Sequence, residues 1–246
     1  MEYGSKVDTH QLRLSLIQAS DGSEAFIANT RGCVLEVFDF ILQNLHVNVD
    51  RSMCPSSCLL HNVFTLTSCY SGTCCEDFLE IEEKHTLALP GLLLLNNYKN
   101  LSFSTSLNIV INSMISAEVL KYFKCSCGTV LTARPALKLP GVFTISIFWD
   151  SLQMKDSEDL FKGMNKKIDL KAIFDAAECD GKTEYDLQSM VCYSRFLKHY
   201  ISVVKKQNGK WTVVSDELKF STRWGLVNFS LKVLGLAPVL LFYSKC

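Results

Sequence analysis

The C-terminal hundred residues constrain the fold most, because they are a succession of short apolar runs with strand character. Residues 142–149, VFTISIFW, form a nearly continuous apolar run, which predicts a strand buried on both faces. Three more strands are predicted over 185–193, 199–205 and 210–214. Between the last two, Gln207-Asn208-Gly209 carries the Asn-Gly signal of a tight hairpin. Residues 227–234 read as helical, and 238–243, PVLLFY, as a final strand.

The N-terminal half has a different rhythm. In VLEVFDFILQNL, residues 34–45, the apolar residues Val34, Val37, Phe38, Ile41, Leu42 and Leu45 recur at helical spacing. A second helix is predicted over 107–122, with Leu107, Val110, Ile111, Met114 and Ile115 on one face, and a shorter one over 12–20. Residues 53–76 are rich in cysteine and turn residues, 78–95 read as a strand followed by an apolar segment, and KCSCGTV near 124 reads as a tight turn before a strand. No internal repeat or low-complexity linker interrupts the chain. These elements make a single α+β domain with a cysteine-rich insertion.

Composition narrows the function classes. Hydrophobic residues are 48% and charged residues 20% of the 246, which supports a substantial core rather than disorder. The 25 basic and 25 acidic residues cancel, so no strong basic field exists to hold a phosphate backbone, and nucleic acid is not the expected partner. The most apolar stretches, 87–95 and 233–243, are too short to span a membrane and are broken by Pro90-Gly91 and Pro238. The polar start MEYGSKVDTHQ lacks the apolar core of a secretory signal. Eleven cysteines without such a signal point to reduced thiols and an intracellular, cytoplasmic or nuclear, location.

Two groups of residues carry candidate chemistry. His199 opens one strand of the predicted hairpin and Asp216 follows the next. That spacing suits a base and its orienting acid, with both side chains on one face; a lone strand histidine with a structural role is the plainer alternative. The second group is Cys69 with Cys74 (or Cys75), and Cys125 with Cys127. Two thiol pairs distant in sequence can close a tetrahedral zinc site, since each knuckle supplies two soft ligands. The spacings differ from CxxC, so a ribbon that keeps its thiols without metal stands beside the zinc site. Cys54, Cys58 and His61 form a further cluster, read as structural burial. No cysteine has the setting of a nucleophile: Cys192 lies in an apolar strand, and Cys33, although it precedes the strongest helix, is not tied to His199 by any pattern.

Taken together, the strings resemble the ubiquitin-specific proteases, the papain-like ubiquitin carboxyl-terminal hydrolases, and within them the divergent branch described as inactive. The resemblance runs from about Gln11 to Tyr243 and rests on four segments: CVLEVFDFILQNLH (33–46), CLLHNVF (58–64), LPGVFTISIFWD (139–150), and the histidine box YDLQSMVCYS…KHY…KWTVVSDE…RW…PVLLFY. It implies a papain-like cysteine-protease fold with palm and fingers and a truncated thumb. Residues 1–52 would be the residual helical thumb, 53–138 the cysteine-rich fingers and 139–246 the palm. His199 would be the general base and Asp216 its orienter, with Ser215 at the family's first acid position, and ubiquitin or a ubiquitinated protein the partner. The family's cysteine box, N-x-G-N-x-C-[YF]-x-N-A, is absent from these 246 residues. A thiol protease without its thiol forms no acyl-enzyme. The resemblance therefore implies a pseudoenzyme that binds ubiquitin or a partner without cleaving. Two alternatives stand: an active deubiquitinase whose cysteine box lies upstream, and a zinc-ribbon interaction module without ubiquitin contact.

Overall fold

The apolar stripe over 107–122 does what its period requires. In the computed structural model of the protein, Leu107, Val110, Ile111 and Met114 are buried in the main core and Ile115 packs against it. Each such side chain contributes roughly 1.5–3 kcal/mol on burial. The structure describes residue 18 and residues 33–45, 58–73, 77–102, 105–122, 132–149, 157, 159–174, 181–215 and 219–246. The predicted helix over 12–20 lies outside them, apart from Gln18. The chain divides into two compact units, 1–55 and 56–246.

The first unit contains helix α1 (Val34–Leu45). Leu42 is buried, and Glu36, Asp39 and Gln43 are exposed, as the apolar stripe predicts.

The second unit begins with α2 (Leu59–Val63), then β1 (Leu66–Thr73), β2 (Asp77–Lys84) and β3 (Leu87–Pro90). Helices α3 (Gly91–Leu101) and α4 (Leu107–Tyr122) follow, then β4 (Thr132–Lys138) and β5 (Val142–Phe148). The short α5 (Leu160–Gly163), β6 (Lys167–Asp169) and α6 (Leu170–Phe174) lead into β7 (Glu184–Ser194), β8 (His199–Lys205) and β9 (Trp211–Val214). The chain ends with β10 (Lys219–Thr222), α7 (Trp224–Val233) and β11 (Leu236–Lys245).

These strands form two sheets. The small one has three strands in the order β2-β1-β4. The large one has eight, in the order β10-β9-β8-β7-β11-β5-β3, with β6 paired to β7 beside β8. All pairings in the large sheet are antiparallel except β3 with β5. The run VFTISIF is β5, buried at five consecutive positions as its continuous apolarity predicts. Asn-Gly makes the β8–β9 turn, with Gly209 at φ 75° and its N–H donating to the Lys206 carbonyl at 2.9 Å.

Three sequence expectations are corrected. The cysteine-rich, turn-rich reading of 53–76 missed β1, a polar strand that is the centre of the small sheet and is held by ladders on both sides. The apolar segment after 87 is two elements, since Pro90 ends the strand and Gly91 starts a helix. A Cβ at Gly91 would lie 2.6 Å from the Trp149 ring, so only glycine lets α3 pass there. Trp149 is fixed in turn by its indole N–H, which donates to the Pro238 carbonyl at 2.6 Å. Finally, β10 was not foreseen, and α7 starts at Trp224 rather than at Val227.

Candidate functional site

His199 is the first residue of β8 and closes the β7–β8 ladder opposite Ser194. It shares its strand face with Ile201 and Val203, which are fully buried. The imidazole is itself only half-buried, so it stands where a core-facing file of side chains reaches the sheet's end. Tyr193 and Tyr200 pair across the ladder on the other face, edge to face, with ring centroids 5.2 Å apart.

The turn that presents His199 is tied down. Ser194 is buried; its hydroxyl donates to the Leu234 carbonyl at 3.1 Å and accepts the Leu197 N–H at 3.2 Å. The Arg195 N–H donates to the Gly235 carbonyl at 3.4 Å. Lys198, directly before the histidine, sits at φ 49°, a left-handed conformation that costs a non-glycine residue about 1 kcal/mol or more. Phe196 lies over Gly235, itself at φ 56°, where any side chain would strike the ring. Residues 194–199 are thus held from Leu234 and Gly235, the turn between α7 and β11, which fixes where the imidazole stands.

The β8–β9 ladder includes Ser202 opposite Val214, and Ser215 is the next residue. Asp216 lies outside the described residues. At the position that the resemblance gives to the family's first acid there is a hydroxyl, which can accept an imidazole N–H but carries no charge to stabilise an imidazolium.

The described thiols differ in their surroundings. Cys192 is wholly buried in β7 opposite Ile201, and burial pushes its thiol far above the ordinary range, so the reactive thiolate is suppressed. Cys58, half-buried, immediately precedes α2, and Cys246 is the exposed last residue. Cys33 lies in the first unit, half-buried, directly before α1.

Of the candidate zinc ligands, Cys69 is on β1, opposite Ile81 of β2 and Arg134 of β4. Cys74, Cys75, Cys125 and Cys127 lie outside the described residues, as does Cys54. The register brings the end of β1 to the starts of β2 and β4, with Ser71 opposite Thr132 and Thr73 opposite Asp77, whereas Cys69 stands four residues inside β1. Among the described residues, no three His, Cys, Asp or Glu side chains are placed to hold a metal ion. His61 of the expected structural cluster is half-buried, and its Nε2 lies 3.2 Å from a Glu83 carboxylate oxygen. No helix among the described residues is long and apolar enough to cross a membrane.

The family model of ubiquitin carboxyl-terminal hydrolase matches residues 5–243. The chain belongs to that family. Solved structures agree on the fold. The Ubp8/Sgf11/Sus1/Sgf73 deubiquitinase module of SAGA bound to monoubiquitin matches with a TM-score of 0.61 at 19% identity, over 94% of this chain and 52% of its counterpart. The same module bound to ubiquitin aldehyde matches at 0.62 and 17% identity, over 99% and 56%. The pseudoubiquitin hydrolase–RNA exonuclease module of Saccharomyces cerevisiae Pan2, in complex with AAUUAA RNA, matches at 0.54 and 14%, over 96% and 42%. At such identities the likeness speaks for the fold: the mixed α+β architecture is that of the papain-like ubiquitin hydrolases. This chain spans about half the length of the SAGA chains it matches. A comparison with curated proteins finds no match.

Proposed function

We propose that these 246 residues act as a ubiquitin-recognising member of the ubiquitin carboxyl-terminal hydrolase family that does not cleave. One observation carries the reading. The base-bearing strand is retained and its turn is held rigid, whereas the residue after β9, where the family's first acid would stand, is Ser215. The absence of the N-x-G-N-x-C box and the burial of Cys192 support it, because a base without a thiolate partner has no acyl chemistry to assist. What remains is a family scaffold for recognition, with ubiquitin or a ubiquitinated protein as the partner in an intracellular compartment.

The test is incubation of the purified chain with a ubiquitin C-terminal fluorogenic substrate and a ubiquitin electrophile probe. The expected result is background turnover and no adduct on any of the eleven cysteines. Turnover or a covalent adduct overturns the reading.

A second reading is favoured by the chain's covering only about half of the SAGA structures it resembles. A longer protein that supplied the cysteine box would be an active cysteine-type deubiquitinase with His199 as its base. The genomic sequence upstream of Met1 decides between the two.

A further inference from the structure

A basic cleft opens where the large sheet changes strands. Both β8 and β6 pair with β7, one after the other along its length, so the sheet is breached between the end of β8 and the start of β6. The breach is a cleft of about 710 Å³. Lys166 and Lys167 line it from the β6 side, Lys205 and Trp211 from the β8–β9 hairpin, and Arg223 and Trp224 from the start of α7. One carboxylate, Asp186, faces these four cations and pairs with Lys205 at 3.3 Å. Lys166, Lys167 and Arg223 are exposed, and among the described residues no carboxylate pairs with them.

The walls are fixed. The Lys166 carbonyl accepts the Leu187 N–H at 2.7 Å, and the neighbouring Asn165 carbonyl accepts the Tyr243 hydroxyl at 3.0 Å. Opposite them, the Lys210 carbonyl accepts the Lys206 N–H at 2.7 Å, closing the hairpin. Trp211 is buried and Trp224 half-buried, and their rings pack at 4.7 Å, giving the cleft an aromatic wall. A rigid concavity with excess positive charge and an indole face is built for an anion that also carries apolar surface.

We propose that this cleft binds an extended acidic peptide segment, whose carboxylates or phosphates engage Lys166, Lys167 and Arg223 while an apolar side chain rests on Trp224. The backbone favours a peptide. Along the β6–β7 ladder the Lys166 carbonyl accepts from Leu187 of β7 and the Leu170 N–H donates to Thr183 just before it, so alternation turns the N–H and carbonyl of Lys167 to the other side. That edge offers an added strand one pair of main-chain bonds, at Lys167, since the Asp169 N–H beyond it is held by the Asn108 side chain at 3.2 Å. The balanced charge of the whole chain disfavours a nucleic-acid backbone, which needs a basic surface well beyond one cleft. The proposal is independent of ubiquitin recognition.

Fluorescence anisotropy on the full chain tests it with three labelled peptides of one sequence, bearing glutamate, phosphoserine or glutamine at alternate positions. Saturable binding of either anionic peptide, with the glutamine peptide at least about tenfold weaker, is expected. Whichever anionic peptide is tighter identifies carboxylate or phosphate as the source of charge. Affinity should fall as salt rises. It should also fall about tenfold or more in the double variant Lys166→Glu with Lys167→Glu, and in Arg223→Gln as a separate check. Equal binding of the glutamine peptide, unchanged affinity in both variants, or no binding at all overturns the proposal. Tighter binding of a single-stranded oligonucleotide than of either anionic peptide overturns it as well.

Discussion

Two residues show how far a single side chain decides behaviour here. Gly235 combines φ 56° with the Phe196 ring lying where a Cβ would stand. Gly235→Ala therefore meets both backbone strain and overlap, and should destabilise the chain by about 1–3 kcal/mol. Thermal melts of Gly235→Ala, Phe196→Ala and the double variant should show part of the loss relieved when the ring is removed, because only the overlap depends on Phe196. Cys192 makes a pH argument together with Tyr98 and Tyr243. Burial pushes all three well above their ordinary values, and Tyr98 raises Tyr243 further. In the unfolded chain these groups ionise near about 8.5 for cysteine and about 10 for tyrosine. Their folded pKa values are raised, so the stability they contribute is fully present below those values and is lost as pH rises. Melting temperature measured from pH 7 upward should be flat to about pH 8.5 and then fall, steepening above about pH 10, by up to about 1.4 kcal/mol per pH unit for each group ionised in the unfolded chain. A flat profile through pH 11 would refute it.

At the scale of elements, what could be read from the sequence was what has a period or a turn signal. The strands β5, β7, β8, β9 and β11 and the helices α1 and α4 follow from apolar spacing, and the β8–β9 hairpin from Asn208-Gly209. What could not be read depends on partners. LTSCYSGT has little strand character of its own and is a strand because β2 and β4 flank it. The four residues of β10 exist as a strand through their ladder to β9. In LALPGLLLL no period separates strand from helix, and the boundary comes from Pro90 and from the room that Gly91 leaves for Trp149. The candidate site was legible to the same degree. His199 could be placed at a strand start, but its rigidity comes from Leu234 and Gly235, far along the chain. The basic cleft was missed because its cations are spread from 166 to 223 and form no run. The small sheet carries a prediction of its own. We propose structural zinc on Cys69, Cys74 (or Cys75), Cys125 and Cys127, from the two thiol pairs of the sequence; the register brings the end of β1 to the starts of β2 and β4, whereas Cys69 stands four residues inside β1. Elemental analysis after chelator-free purification should find about one zinc per chain. Its removal should loosen the small sheet before the large one, seen as faster amide exchange over 66–84 than over 184–205. Less than about a tenth of an equivalent would leave a ribbon without metal.

For the whole molecule the question is whether, under the reading proposed above, recognition stands without cleavage. Protein–protein affinity comes from buried contact area and a few well-packed anchors, and a single catalytic imidazole adds little to either. Catalysis, by contrast, needs every member of its constellation, and removing one member costs nearly as much as removing all. The two properties should therefore separate in this chain. Ser215→Asp would place a carboxylate at the family's first acid position, beside Asp216, yet no turnover should appear, because an orienting acid without a thiolate nucleophile has no acyl step to assist. His199→Ala should change ubiquitin affinity by less than about threefold, since truncating a half-buried residue at the end of the sheet leaves an extended interface intact. Titration calorimetry of wild-type and His199→Ala chains with ubiquitin, run beside a fluorogenic turnover assay of Ser215→Asp, measures both halves. The expected pattern is saturable binding in both chains and background turnover in Ser215→Asp. Ubiquitin that fails to bind the wild-type chain at millimolar concentration, or turnover created by Ser215→Asp, would show that recognition and chemistry are not divided in this way.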